Sequence, residues 1–235
     1  MGLFTDQSTT KAAIFDVDGT LIDSVDLHAK AWQEAFRHFG HELSFDEIRS
    51  QIGKGGDQLM PVFLSKEELE EKGDEIEKYR GDLFKKSYMP QVRPFPQVRA
   101  LFERLLDGGW KLALASSAKK DELKIYTDMC CITDLLDTKT ASDDAEKSKP
   151  HPDIFQAAMK RLDDIPPENC VVVGDSPYDA EAATKAHIPS IGFLSGGFPA
   201  DQLLKSGYEA LYASPADLLK KYDQSLFHRQ SPRSR

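Results

Sequence analysis

The chain has 235 residues, of which 40% are hydrophobic and 29% charged, and its formal net charge is −9. This length fits one large domain, or one domain with an insert, and is sufficient to bury a core. No run approaches the ~20 apolar residues of a membrane span, and Met1–Lys11 lacks the features of a signal peptide. The acidic balance argues against nucleic acid and anionic membranes as partners. The three cysteines lack disulfide or zinc spacing and predict reduced thiols in a cytoplasmic protein.

Short apolar runs alternate along the chain with segments of helical periodicity. Continuous runs such as Val171–Val173 are typical of strands buried on both faces, as parallel sheets require. The alternation therefore predicts an α/β fold with a doubly wound, Rossmann-like parallel sheet and helices on both faces. The predicted strands are Ala12–Phe15, Lys111–Ala115, Leu136–Thr140, Cys170–Val173, Ser190–Phe193 and Ala210–Tyr212.

One stretch, residues 24–92, breaks the alternation because it carries helical patterns without a strand signal. Its charge-dense part, Ser65–Lys86, is typical of a solvated helix face, and the proline-rich return at Pro90–Pro96 suits a hinge. We therefore expect an α/β core with an inserted α-helical cap domain, and polar ends outside the core. The expected ranges are 1–23 and 93–235 for the core, 24–92 for the cap, and Met1–Thr10 and Phe227–Arg235 for the ends.

Two aspartates, Asp16 and Asp18, follow the first predicted strand and precede Gly19. In an open parallel sheet, ligands bind outside the carboxyl ends of the strands, where these side chains are expected to lie. Two carboxylates separated by one residue can point the same way, and the glycine permits a sharp turn. The alternative is a turn in which both carboxylates only cap backbone amides.

The other strand ends favour a reactive site. Ser116 and Ser117 follow the second predicted strand, Lys149 lies downstream, and Asp175 and Asp179 follow the strand that ends at Val173. A group of carboxylates suits Mg²⁺, which prefers oxygen ligands. A lysine and a serine beside it suit a phosphate dianion, which needs positive charge and hydrogen-bond donors.

These four motifs, in this order, resemble the haloacid dehalogenase-like superfamily of phosphohydrolases. The helical insert is similar to the cap of its beta-phosphoglucomutase and phosphoglycolate phosphatase branch. The resemblance implies that Asp16 is the nucleophile and forms an aspartyl-phosphate, and that Asp18 is the general acid and base. It also implies that Ser116 binds a phosphoryl oxygen and that Lys149 neutralises the phosphate and Asp16.

The same resemblance implies a Mg²⁺ site formed by the Asp16 carboxylate, the Asp18 backbone carbonyl and Asp175, with Asp179 in support. Thr20 is expected to brace the loop after the nucleophile and, with Ser117, to complete the phosphate-binding set. The division of roles requires Asp18 to be protonated at the first step while Asp16 stays ionised. We expect crowding of the acids and the metal ion to produce that order of pKa values.

Substrate choice is expected to lie in the cap. Lys54, in the glycine-rich segment Gly53–Asp57, and His28 are the candidate substrate contacts there. The alternatives are a plain turn between helices for the segment that contains Lys54, and packing against Trp32 for His28. Lys119 resembles a phosphate-facing lysine of the mutase branch, or else lies on a helix surface.

The sequence thus predicts a Mg²⁺-dependent phosphatase of a small phosphorylated metabolite, either a sugar phosphate or a phosphoglycolate-like ester, and a monomer or weak homodimer. One alternative is a beta-phosphoglucomutase-type mutase. Another is a non-catalytic regulatory module that accepts phosphate on Asp16. Phosphonoacetaldehyde hydrolysis would need a cap lysine such as Lys54, and dehalogenation is disfavoured because it needs neither Asp18 nor a metal ion.

Overall fold

The computed structural model describes residues 10–229. At the centre lies a six-stranded sheet in which every pairing is parallel. Its strand order, β5-β4-β1-β6-β7-β8, places β1 between β4 and β6. All six predicted strands are present, although the third is shorter than expected. The strands are β1 (Lys11–Phe15), β4 (Trp110–Ala115), β5 (Thr138–Thr140), β6 (Cys170–Gly174), β7 (Ser190–Phe193) and β8 (Ala210–Tyr212).

Helices cover both faces of this sheet, which confirms the predicted doubly wound α/β fold. One face packs Phe15, Val171 and Val173 against a cluster that includes Phe102. The other face packs Ile14 and its neighbours against a second cluster. The helices around the sheet are α5 (Val98–Asp107), α6 (Lys120–Met129), α7 (Asp153–Arg161), α8 (Pro177–Lys185), α9 (Ala200–Ser206), α10 (Pro215–Lys220) and α11 (Leu226–Arg229).

Residues 24–92 form a helical segment that leaves and rejoins the sheet through a short antiparallel ribbon, β2 (Ile22–Asp23) with β3 (Arg93–Pro94). This helical segment has its own apolar cluster, in which Trp32 and Phe36 meet Ile76. Its helices are α1 (Val25–His38), α2 (Phe45–Arg49), α3 (Gly56–Leu59) and α4 (Lys66–Leu83).

The charge-dense stretch forms helix α4, as the sequence predicts. Ser65 begins it with a capping box, in which its hydroxyl accepts from the Glu68 amide and the Glu68 carboxylate accepts from the Ser65 amide. Exposed pairs such as Lys78 with Asp82 lie one turn apart along it. Most of α4 therefore faces solvent, and few of its residues are buried.

One expectation about the chain ends is wrong. Most of the predicted polar ends, residues 1–9 and 230–235, lie outside the described residues. Phe227, however, is fully buried, and its ring packs edge-on against Trp110 with the centroids 4.9 Å apart. Burial of this aromatic ring outweighs the polar character of the surrounding sequence.

Cys130 and Cys170 are buried and Cys131 is exposed, and all three are free thiols. None of the helices within residues 10–229 combines the length and the apolar character that a membrane crossing needs.

Two adjacent leucines of α5 test the packing of the sheet face. Leu105 is fully buried in the cluster around Phe102, whereas Leu106 is 37% exposed. We expect Leu105→Ala to lower the free energy of unfolding by about 2–5 kcal/mol, because it removes buried methyl groups and leaves a cavity. The matched change Leu106→Ala is expected to cost less than about 1 kcal/mol. If urea denaturation showed equal losses in the free energy of unfolding for the two variants, the result would contradict this packing.

Candidate active site

The acidic residues predicted from the sequence meet at the carboxyl edge of the sheet. Asp16 directly follows β1, and its backbone amide donates to the Val173 carbonyl of β6 at 2.8 Å. Asp175 directly follows β6, and Asp179 lies in the first turn of α8. Because β1 and β6 are adjacent and parallel, their carboxyl ends bring these residues together.

Lys149 binds two of these carboxylates. Its Nζ lies 2.5 Å from Asp16 Oδ1 and 2.8 Å from Asp179 Oδ1, and all three side chains are buried. Burial lowers the pKa of the Lys149 amine, but the charges of Asp16 and Asp179 more than reverse this and raise its pKa. The lysine therefore stays charged between the two acids.

One carboxylate oxygen from each of Asp16, Asp175 and Asp179 lies within 4.8 Å of the others. Within the described residues, Asp175 makes no ion pair, and its partner is the Thr20 hydroxyl, which donates to Oδ1 at 2.9 Å. Burial and the neighbouring acids raise the pKa of Asp175, and the same causes, opposed by Lys149, raise the pKa of Asp16 to about 7. Three buried acids beside one lysine form a site that fits a divalent cation with oxygen ligands, such as Mg²⁺.

Two glycines allow the chain to approach Asp175 closely. Gly19 has a φ of +78°, and a Cβ atom there would lie 2.3 Å from Asp175 Oδ2. A Cβ atom at Gly196 would lie only 1.8 Å from the same oxygen. Backbone therefore closes around this carboxylate at both positions, and no larger residue fits without displacement.

Asp18 contacts the helical segment and not the lysine. Its Oδ1 accepts a hydrogen bond from Ser24 Oγ at 2.6 Å and lies 2.9 Å from His28 Nε2. The His28 ring in turn stacks on Phe84, with centroids 3.9 Å apart. The candidate His28 is thus placed at the site, in contact with Asp18.

The order of pKa values differs from the one expected. Burial acts to raise the pKa of Asp18, but the charge and hydrogen bond of His28 and the bond from Ser24 lower it overall. Asp16, in contrast, has its pKa raised. These directions apply without a bound cation, whereas the expected order, a protonated Asp18 beside an ionised Asp16, includes the charge of the metal ion and stays a prediction. The contact of His28 with Asp18 is a further influence on this order that the sequence does not show.

Thr20 and Ser116 are fully buried. The Thr20 hydroxyl faces Asp175, and it also lies 3.4 Å from Asp16 Oδ2, so this residue braces the acidic group. Ser116 Oγ accepts from the Ala118 amide at 3.0 Å. Ser117, rather than Ser116, lies in the wall of the adjoining cavity.

A cavity of about 420 Å³ separates the sheet edge from the helical segment. Asp16, Asp18 and Lys149 form its floor, and His28 and Lys54 are among the residues opposite, with Lys119 also in the wall. Asp175 and Asp179 are not lining residues. Ligands in the cavity would therefore meet Asp16 and Lys149 first.

Lys54 reaches across to the sheet side of the molecule. Its Nζ donates to Gln51 Oε1 at 2.6 Å and lies 4.7 Å from the ring centroid of Tyr178 on α8. Burial lowers the pKa of Lys54. The nearby Tyr178 hydroxyl donates to the Ser50 carbonyl at 2.6 Å, so this part of the helical segment is docked on α8.

A further contact, which no sequence motif indicates, is made by Arg49 at the end of α2. Arg49 donates to Asp26 Oδ1 at 2.9 Å and to the Gly196 carbonyl at 2.6 Å. It therefore joins the helical segment to the loop that packs against Asp175.

Known proteins of similar sequence and structure are hydrolases, among them phosphatases. Residues 13–193 match the sequence model of a family described as haloacid dehalogenase-like hydrolase. A phosphorylated carbohydrates phosphatase from Thermotoga maritima is 27% identical over 210 residues, which are 89% of this chain and 96% of that protein. A phosphoglycolate phosphatase from Aquifex aeolicus is 26% identical over 221 residues, covering 92% of this chain and 98% of the relative. A solved hydrolase structure from Pseudomonas syringae has a TM-score of 0.82 at 28% identity and covers 91% of this chain and 98% of its own.

The chain therefore belongs to the haloacid dehalogenase-like hydrolase family. This confirms the family that the sequence motifs indicate. The residue roles that the resemblance implies are taken up below as proposals.

Replacing Arg49 tests how the helical segment is attached. We expect Arg49→Met to free the loop around Gly196, because the change removes a charged donor to its carbonyl, worth about 1.5–3 kcal/mol. The Gly197 amide, which donates to the Leu194 carbonyl at 3.0 Å, is the reporter, and its hydrogen exchange should become at least about tenfold faster. Arg37→Met, at an exposed arginine of the same segment, is the control. Unchanged exchange at Gly197 in Arg49→Met would contradict the attachment.

Proposed function

We propose that this protein is a Mg²⁺-dependent phosphatase that hydrolyses a small phosphorylated metabolite through an aspartyl-phosphate on Asp16. The enzyme class, a phosphoric monoester hydrolase, follows from the family and from the phosphatases among its relatives. The observation that carries the proposal is the position of Asp16, which faces the cavity while its carboxylate is bound by the buried Lys149. That pairing supports the proposal that Asp16 acts as a nucleophile beside a cationic group.

In the first step, an Asp16 carboxylate oxygen attacks the phosphorus atom and the bond from phosphorus to the ester oxygen breaks. Asp18 donates a proton to the leaving oxygen, so that an alcohol departs. Lys149 offsets the repulsion between the carboxylate and the phosphate, which is roughly 4 kcal/mol per charge pair at 4 Å and an effective dielectric near 20.

In the second step, Asp18 takes a proton from water, and the resulting nucleophile attacks the phosphorus atom of the aspartyl-phosphate. The acyl phosphate bond breaks, which releases inorganic phosphate and restores the Asp16 carboxylate. His28, which contacts Asp18, is placed to supply or hold the proton that this residue exchanges. This contact offers a route by which Asp18 is protonated despite its lowered pKa.

Asp16, Asp175 and Asp179 would hold Mg²⁺ through their carboxylates, with the Asp18 carbonyl as the further ligand that the family resemblance implies. When bound, the cation supplies positive charge that keeps Asp16 ionised and stabilises the phosphoryl oxygens. Ser116 and Ser117 are proposed to bind those oxygens, and Thr20 to brace the acids.

The helical segment, residues 24–92, is proposed to act as a cap domain. It would close over the sheet core, residues 1–23 and 93–235, and exclude water from the cavity. Lys54 is the proposed substrate contact of its glycine-rich segment. We further infer a cytoplasmic location from the free thiols, and a monomer or weak homodimer as the working unit.

The mutase alternative is not favoured, because the relatives described above are phosphatases. The regulatory module is disfavoured because a module that only accepts phosphate has no need of an acid and base such as Asp18 beside the acceptor.

Asp16→Asn is expected to abolish hydrolysis of p-nitrophenyl phosphate, because a carboxamide does not form the acyl phosphate. The carboxamide oxygen still accepts from Lys149, so the thermal melting temperature should stay close to that of the wild type. Asp23→Asn, at an exposed aspartate of β2, is the control and should keep full activity. Wild-type turnover by Asp16→Asn would remove the covalent mechanism.

Asp18→Ala is expected to lower turnover of an alkyl phosphate at least ~10²-fold, because the leaving alkoxide then lacks its proton donor. p-Nitrophenolate leaves without a proton, so this variant should release about one equivalent of it rapidly and then stall at the aspartyl-phosphate. Rapid-quench kinetics measures both effects. Steady turnover of the alkyl ester at the wild-type rate would assign the proton transfer to another group.

A further inference from the structure

The wall of the cavity formed by the helical segment contains an arginine that the mechanism above does not use. Arg80 lies on α4 and lines the cavity together with Trp32 of α1. Its guanidinium carbon is 4.9 Å from the centroid of the Trp32 ring. This cation–π contact holds the guanidinium plane in place at the cavity wall.

Among the arginines whose side chains the structure describes, Arg80 stands apart because it makes neither a hydrogen bond nor an ion pair. Its Nε is buried and has no hydrogen-bond partner within the described residues. A buried donor without an acceptor is energetically unfavourable. The other arginines, which all bind carboxylates or backbone carbonyls, are Arg37, Arg49, Arg93, Arg99, Arg104 and Arg161.

Two acidic side chains in the same wall have lysine partners of their own. Asp82 is bound by Lys78 at 2.6 Å. Glu122 lies 4.0 Å from Lys85, which also binds Asp121 at 2.7 Å. Glu77, three residues before Arg80 on α4, also lines the cavity. Within the described residues, none of these acids forms an ion pair with Arg80, so its charge has no carboxylate partner.

We propose that Arg80 binds a carboxylate carried by the substrate, at the end of the molecule opposite its phosphoryl group. This inference rests on the proposed function and selects the acidic esters among the candidate substrates. A guanidinium edge with a free Nε–H matches a carboxylate through two parallel hydrogen bonds. A second phosphate fits less well, because one free guanidinium compensates one negative charge and not two.

The test compares ligands that differ only in this group. Phosphoglycolate and 2-hydroxyethyl phosphate form one pair, and 3-phosphoglycerate and glycerol 3-phosphate form a longer one. In each pair a carboxylate replaces a hydroxymethyl group. Binding is measured by titration calorimetry on the Asp16→Asn protein with Mg²⁺, so the result does not depend on turnover. We expect the carboxylate ligand of at least one pair to bind about tenfold more tightly or better.

Adding Arg80→Met to this protein should reduce that preference by at least about tenfold, because the side chain keeps its volume but loses its charge and donors. Lys72→Met, at an exposed lysine of the same helix, is the matched control and should preserve the preference. Arg80→Lys should retain part of it and serves as the test variant if Arg80→Met melts at a lower temperature.

Equal binding within both pairs, or a preference unchanged by the Arg80 variants, would overturn the inference. Hydrolysis of p-nitrophenyl phosphate by the wild-type enzyme is measured separately. A phosphatase with no Arg80-dependent preference would leave the proposed function intact and remove only the assignment of the carboxylate. A protein that binds the carboxylates through Arg80 but hydrolyses no ester would support the carboxylate assignment and contradict the proposed function.

Discussion

The arrangement of the site depends on one buried ammonium group among three buried carboxylates. Lys149 binds Asp16 and Asp179 directly, while Asp175 has a hydroxyl group rather than a cation as its partner. Ionised carboxylates at such distances repel each other strongly, and burial removes the water that would otherwise screen them. Burial, and then the neighbouring negative charges, raise the pKa values of Asp16 and Asp175. A divalent cation would relieve this repulsion, and its charge together with that of Lys149 would favour the binding of a phosphate.

The fold supplies this arrangement through its parallel sheet. The adjacent strands β1 and β6 end at the same edge, and Gly19 and Gly196 let backbone close tightly around Asp175. The loop that contains Gly196 is also bound by Arg49 of the helical segment. The same few residues therefore attach the helical segment and support the acidic group. A change in the attachment of the segment is expected to disturb the positions of the acids.

Much of this could be predicted from the sequence. Central strands such as β6 are apolar runs, and Asp16, Lys149 and Asp175 follow at positions that a parallel sheet brings together. The pKa order of Asp16 and Asp18 could not be predicted, because it depends on a 2.9 Å contact with His28. Arg49 and Arg80 belong to no sequence motif. Arg49 is notable for its contact with the Gly196 carbonyl, and Arg80 for its buried Nε without a hydrogen-bond partner in the described residues. The burial of Phe227 could not be predicted, because a single aromatic residue in a polar sequence gives no periodic signal.

The most direct test of this account is the binding of Mg²⁺ to chelator-treated protein, measured by titration calorimetry. The wild type and Asp223→Asn, which changes an exposed acid far along the chain, should each bind one ion per chain at the acidic site. Asp175→Asn should lose this binding, because it removes the carboxylate that has no cationic side chain as its partner. Failure of the wild type to bind Mg²⁺, or undiminished binding by Asp175→Asn, would contradict the claim that these acids are gathered around a divalent cation.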